Sequence, residues 1–386
     1  MQLSWLDRLL PLNILLAMVL GTLIGHYVPS AATNLNSGSI ADVSVPIFVG
    51  LLWMMYPVLC KVKYESLYSI LSHQDAKKVI LFSLLINVIV APLIMTGLAW
   101  ATLPDLPHER TGVIMIGAAR CIAMVLIWNQ LACGDSEWCA ILVAINAFIQ
   151  LFLYGPVVYF LSVTISGSDG GIVSMWLTVR SVLIFLGIPL AGGMVTRFIL
   201  RHLTKWEDWY DNKFLPLIGP QALIGLLYTI VVMFVLQGDT IIHNIPNALR
   251  TAVPLLLYFA ILFTGTLVAS LYITKSPYPI AVTQSFTAAG NNFELAIAVA
   301  VATYGIDSKE AFSAVIGPLI EVPVLLGLVY LARGAEGFYN RKLVIVLGTS
   351  ESGSGIESGP AHSEITLGGQ GRLPLQPANE FKVSDN

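Results

Sequence analysis

Gly117-Ala-Ala-Arg-Cys121 and Ala288-Ala-Gly-Asn-Asn-Phe-Glu294 each put small, polar or charged residues where an uninterrupted lipid-facing helix would carry Leu and Val. They occupy matching places in two halves of one chain. A shift of 171 positions superposes Ala118 on Ala289, Gly134 on Gly305, Ile145 on Ile316 and Ile149 on Ile320. The same shift brings Gln150 onto Glu321, Val158 onto Val329 and Tyr159 onto Tyr330. A duplicated bundle with a polar break in the same helix of each half is the pattern of a secondary transporter.

The surrounding sequence has the composition such a bundle needs. The chain is 56% hydrophobic and 11% charged, with a mean hydropathy of +0.78, which excludes an ordinary soluble domain. Apolar stretches of spanning length fall at 9–28, 41–60, 79–101, 111–131, 138–164, 181–200, 217–236, 251–273, 279–303 and 311–332. The first is too long for a secretory signal and nine more follow, so it is expected to stay in the mature protein. The expected fold is all-α and polytopic: ten transmembrane helices as two inverted five-helix repeats, with discontinuous helices 4 and 9 crossing. From residue 348 to 386 the chain turns polar and rich in Gly, Ser and Pro, and is expected to be a disordered tail.

Basic residues orient the bundle. Loops after spans 2, 6 and 8, with the two membrane-proximal ends, carry Arg8, Lys61, Lys63, Lys77, Lys78, Arg197, Arg201, Lys205, Lys213, Lys275, Arg333, Arg341 and Lys342. The opposite loops hold Arg110, Arg180, Arg250 and Lys309. That bias places both termini in the cytoplasm. The plasma membrane is the expected location, a point on which the bias is silent. Five spans per half is an odd number, so the second half enters the membrane upside down. The net charge of −3 points to no charged partner, and no nucleic acid is expected. The four cysteines, Cys60, Cys121, Cys133 and Cys139, form no CxxC or zinc-type spacing, and no cofactor is implied.

Three ionisable residues, Arg120, Glu294 and Glu321, fall inside apolar spans. Each costs roughly 2.5–3.5 kcal/mol on insertion scales if it faces lipid, so each should face protein or a wet cavity. For Glu321, in Pro318-Leu-Ile-Glu-Val-Pro323, a structural role satisfying backbone freed by the prolines stands level with proton coupling. Arg120 and Glu294 sit at the breaks, where unwound helix ends expose N–H groups. A plain Arg120–Glu294 ion pair fixing the crossing is the bland alternative to a transport path. Asn291 and Asn292 can satisfy unwound backbone.

Cys121 follows Arg120 directly. An isolated membrane cysteine is usually apolar filler, but a neighbouring guanidinium and a helix start favour the thiolate and a nucleophilic sulfur. A soft sulfur selects a soft or borderline acceptor, and a single thiol suits a species that must bind and then leave. A trivalent metalloid hydroxide fits: it is neutral, exchanges OH for sulfur, and offers oxygens to Asn and Glu. Asn87, Trp128, Asn129 and Asn146 are further polar residues at plausible depth. Interhelical hydrogen bonding explains Asn87 and Asn146 as well as substrate contact does. Trp128, two turns beyond Cys121 on the same face, either walls the same cavity or anchors at the interface.

Gly117-Ala-Ala-Arg-Cys-Ile-Ala-Met-Val-Leu-Ile-Trp-Asn129, followed by Gly134-Asp135, resembles the signature of the arsenical-resistance type arsenite efflux permeases. So do Ala289-Gly-Asn-Asn-Phe-Glu-Leu-Ala-Ile-Ala298 and Gly317-Pro-Leu-Ile-Glu-Val-Pro323. These permeases lie within the bile-acid:sodium symporter superfamily, and the resemblance runs from about residue 9 to 335. It implies a core domain (79–165 and 250–335) around the crossed helices and a panel domain (1–60 and 173–236). It implies a metalloid-binding Cys121 with Arg120 beside it, and Glu294 as the ninth-helix carboxylate with Asn292 adjacent. Further polar positions fall on Asn87, Trp128, Asn146 and Glu321.

The expected activity is efflux of trivalent arsenic hydroxide, possibly with antimonite, by proton antiport. Substrate binding is expected at Cys121, Arg120, Glu294, Asn292, Asn87, Trp128 and Asn146, and proton coupling at Glu294 and Glu321. The alternative is a sodium-coupled symporter of an organic anion on the same fold, in which the Arg-Cys pair has no evident use. No HExxH or GxSxG occurs in the spans, so no enzyme is expected.

Overall fold

The computed structural model describes residues 9–348 except 41, 63, 65–73, 168–174 and 204–205. The tail expected from 348 lies outside these residues from 349 onward. The described chain is helical apart from loops and one short ladder, Ser39–Ile40 (β1) against Val43–Ser44 (β2). The helices are α1 Leu10–Tyr27, α2 Pro29–Leu35, α3 Val45–Lys61, α4 Ala76–Thr102, α5 Pro107–Ala118, α6 Val125–Leu131 and α7 Ser136–Ile165. They continue as α8 Met175–Arg201, α9 Glu207–His243, α10 Ile245–Thr274, α11 Tyr278–Ala289, α12 Phe293–Tyr304 and α13 Lys309–Gly348.

Six of these, α4, α7, α8, α9, α10 and α13, are long and apolar enough to cross a membrane uninterrupted. The chain is an all-α integral membrane protein. Of the other four apolar stretches, α1 runs into α2 through a 104° bend and α3 is a shorter apolar helix. The remaining two, 111–131 and 279–303, are broken where the small and polar residues stand. α5 stops at Ala118 and α6 begins at Val125, while α11 stops at Ala289 and α12 begins at Phe293. Ala119 and Gly290 are extended, with ψ of 124° and 141°. α5 and α11 differ by 171 residues at both their first and their last positions.

The interior is divided between two kinds of packing. α1 and α3 lie against α9 through glycines: a Cβ on Gly21 would come 2.7 Å from that of Phe234, and one on Gly225 would meet Met54 N at 2.8 Å. Without a hydrophobic force between helices in lipid, such close approach is what holds them. The broken helices instead carry almost wholly buried side chains, from Glu109 to Ala118 and from Phe293 to Ala302. They are enclosed by neighbouring helices on every side.

Several helices outrun their apolar stretches, α13 by the most at one end. α13 was expected to end near 332 and instead continues to Gly348. Tyr339 explains the extension: its hydroxyl donates to Ser276 O at 2.9 Å and its ring meets Tyr278 edge-on. The polar last turns are docked onto the start of α11.

Candidate functional site

The two breaks meet face to face. Arg120 and Asn291 form an antiparallel bridge, flanked by Cys121 N–H donating to Gly290 O (3.3 Å) and Asn292 N–H donating to Ala119 O (3.2 Å). Each of these bonds is the image of the other under the 171-residue shift. Backbone freed by unwinding at membrane depth costs several kcal/mol per unsatisfied group, and each break satisfies the other.

Side chains complete the closure, again in matched pairs. Gln150 on α7 accepts from Arg120 N–H at 2.8 Å and donates back to Arg120 O at 2.9 Å. Glu321 on α13 accepts from Asn291 N–H through Oε1 at 3.4 Å. Gln150 and Glu321 are the same position in the two halves. Glu321 therefore serves backbone, as the structural reading anticipates, but its partner is the α11–α12 break of its own half rather than the prolines of its own helix, which remains helical through Pro318 and Pro323.

Arg120 is buried and its guanidinium closes the crossing. It donates to Tyr258 Oη (2.7 Å), Ala288 O (3.1 Å), Asn291 Oδ1 (3.1 Å) and Gly117 O. Among the described residues it makes no ion pair with Glu294, so the simple Arg120–Glu294 pair is not formed. Its donors face carbonyl oxygens at the ends of α5 and α11, not the sulfur next to it in sequence. Adjacent residues in an extended segment point to opposite sides, which is why sequence neighbourhood misled here.

Cys121 is buried, and its Sγ accepts from Val125 N–H at 3.3 Å at the start of α6. It packs on Gly290, where a Cβ would stand 3.0 Å from Cys121 Cβ and 3.7 Å from the sulfur. Glu321 and Glu294 are the carboxyl groups that bear on it. Asn292, the counterpart of Cys121, caps α12 by accepting from Leu295 N–H through Oδ1 at 3.0 Å. Sulfur and amide thus hold equivalent places at the starts of the two second half-helices.

The other expected residues divide. Asn87, in a π turn of α4 at Leu85–Val90, donates to Ser83 Oγ at 3.0 Å and lines a small crevice with Ala118, Arg120, Gln150 and Tyr154. Asn146 is buried on α7. Trp128 is fully buried, so it is no interfacial anchor. Asn129 is structural: Thr283 Oγ1 donates to its Oδ1 at 2.7 Å, and its Nδ2 donates to Asp135 O at 3.0 Å, tying α6 to α11. Gly134 has no room for a side chain, since a Cβ there would collide with Asn129 Oδ1.

Among the described residues, several buried polar atoms at this crossing have no partner. They include Arg120 Nε, Asn291 Nδ2, Asn292 Nδ2, Glu294 Oε1 and Glu321 Oε2, with Asn87 Oδ1, Trp128 Nε1 and Asn146 Nδ2 on the surrounding helices. More than nine in ten buried polar groups normally find a partner, so a cluster of exceptions calls for a reason. A crossing that holds a thiol, carboxyls that bear on it and free amide donors can take a small neutral polyhydroxide through sulfur and oxygen together. Tyr258 and Gln150 were not singled out as site residues. The 171-residue shift carries the signal for both, since it lays Asn87 on Tyr258 and Gln150 on Glu321.

Residues 48–244 match the family described as the sodium bile acid symporter family. The chain is 46% identical over 334 residues to the arsenical-resistance protein Acr3 of Corynebacterium glutamicum, covering 85% of this chain and 89% of that protein. It is 31% identical to the arsenical-resistance protein Acr3 of Alkaliphilus metalliredigens, over 87% of this chain and 94% of that one. An uncharacterized transporter of Synechocystis sp. is 33% identical over 88% of this chain and 91% of its own length.

Proposed function

The chain belongs to the sodium bile acid symporter family and, within it, to the Acr3 arsenical-resistance proteins, and from that premise we propose that it exports arsenite from the cytoplasm in exchange for protons. Antimonite, with the same trivalent hydroxide chemistry, is a second substrate. The bundle is read as ten spans in two inverted five-helix halves, with α5–α6 and α11–α12 as the crossed broken spans 4 and 9. A core of 79–165 and 250–335 moves against a panel of 1–60 and 173–236. The matched 171-residue contacts across the crossing support the inversion, and the glycine packing of α1 and α3 on α9 supports the panel.

The observation that carries the reading is the set of unpartnered polar groups at the same crossing as one buried thiol. As(OH)3 enters from the cytoplasm, and one As–OH bond is replaced by an As–S bond to Cys121. The thiol proton leaves with the displaced hydroxide as water. The Nδ2 of Asn292 and the carboxyl of Glu294 hold the remaining two hydroxyls. Arg120 acts on the backbone of the crossing, keeping both breaks open for the substrate. After the core moves, water attacks arsenic, the sulfur regains a proton and As(OH)3 departs outward. A proton on Glu294 or on the sulfur disfavours the arsenic-bound form and accompanies the empty return. Competition of proton and metalloid for one alternating site is sufficient for exchange.

Arsenite uptake into inverted vesicles tests this. Cys121→Ala and collapse of the pH gradient should each abolish accumulation, and Glu294→Gln should uncouple or stop it. Wild-type rates in Glu294→Gln would remove the carboxylate from the mechanism. Uptake that follows a sodium gradient and ignores pH would favour the symporter instead.

A further inference from the structure

Two helix C-termini meet away from the crossing and carry a cluster that arsenite export does not use. α1 ends at Tyr27 and α9 at His243, with His26 and His243 in their last turns. Asp239 stands one turn before His243 on the same helix face. α1 and α9 approach closely because Gly25 and Gly238 leave room: a Cβ on Gly238 would lie 2.7 Å from Thr22 O and 3.2 Å from Gly25 Cα. That contact delivers His26 to Asp239.

Asp239 Oδ1 lies 3.1 Å from His26 Nδ1 and 3.3 Å from His243 Nδ1, and one ligand atom of each residue falls within 4.8 Å of the others. A tetrahedral zinc ion with bonds of about 2.0–2.1 Å separates neighbouring ligands by roughly 3.3 Å. The two carboxylate–imidazole spacings are close to that separation, and His243 Nδ1 also lies 2.9 Å from Asp239 O, a contact that the ion would replace. Both helices also direct the negative ends of their dipoles here, which favours a cation. The side chains are 30% (His26), 66% (Asp239) and 65% (His243) exposed, so an ion can arrive from water and a water can occupy the remaining position. Two imidazoles with one carboxylate suit zinc-class ions and not the all-oxygen preference of calcium or magnesium.

We propose that His26, Asp239 and His243 form a site for a divalent transition-metal ion of the zinc class that bridges α1 and α9. The bound ion would staple together two helices of the panel, and the site stands whether or not the arsenite reading does.

Untagged full-length protein in detergent, in parent and Cys121→Ala forms so that the buried thiol does not compete, is titrated with Zn2+ by calorimetry and thermal unfolding. The expected result is binding by both forms and an unfolding temperature that rises with Zn2+ and falls back with EDTA. Co2+ should give the visible absorption of a low-symmetry four-coordinate centre. His26→Ala, His243→Ala and Asp239→Asn should each weaken Zn2+ binding by about tenfold or more, since losses even beyond the direct ligands reach that size. All three positions are accessible to solvent, and melting without metal confirms that the variants fold. Zn2+ affinity unchanged in both histidine variants, or equal stabilisation by Mg2+, would overturn the proposal.

Discussion

Gln150 and Glu321 occupy one position in two halves and perform one backbone task with different chemistry. Each accepts from the N–H of the residue at the centre of a break, at 2.8 and 3.4 Å. An amide needs no proton to do this, and a carboxyl brings one that it can lose. Glu321→Gln retains an acceptor, so its thermal unfolding in detergent should stay close to wild type. Glu321→Leu leaves Asn291 N–H buried and unpaired and should cost about 1–3 kcal/mol. Equal destabilisation by both substitutions would show that the acceptor role is wrong. Transport by the folded Gln variant then reports on the proton alone.

At the scale of elements, breaks are tolerated where they are enclosed. Gly, Ala and Asn end α5 and α11 because they accept extended backbone without crowding, and the facing strand-like segment supplies the lost hydrogen bonds. The α13 extension follows a different rule, in which polar turns persist because a side chain docks them. Tyr339→Phe removes the bond to Ser276 O and should weaken the extension by about 1 kcal/mol. Faster hydrogen exchange across 333–348, with the crossing unaffected, is the expected signature. Unchanged exchange there would assign the extension to propensity instead.

For the whole molecule, the charge bias and the odd span count per half predict that the loop holding Cys133 is cytoplasmic. Cys133 is exposed, whereas Cys60, Cys121 and Cys139 are buried. A membrane-impermeant maleimide should label Cys133 in inverted vesicles and leave it untouched in right-side-out ones, and the reverse result would invert the topology. On the opposite side, Arg250 at the start of α10 pairs with Asp105 just before α5, at 2.8 Å. The pairing holds the Asp105 carboxyl down at about 2, below its ordinary 3.8. A depressed folded-state value means that the contribution is fully present above pH 3.8 and disappears as pH falls through about 2. Asp105→Asn should remove this acid-side dependence, with a small effect that salt screens, because both side chains are exposed. Unfolding curves between pH 5 and 2 at low and high salt provide the check.

Hydropathy and the 171-residue repeat are each carried by many residues at once, so the bundle and its breaks were legible in the chain itself, and the family was legible in the motif from Gly117 to Asn129. Asn292 and Glu294 stood out at the breaks as well, because polar groups in an apolar span are expensive and therefore conspicuous. The direction of a side chain depends on backbone angles that adjacency does not encode. Only the folded chain decided that Arg120 turns from Cys121 to the carbonyl ends of the half-helices, that Tyr258 receives it, and that Glu321 serves the break between α11 and α12. It also decided that His26 meets Asp239, residues 213 positions apart, because that contact depends on how closely two helices pack at their glycines.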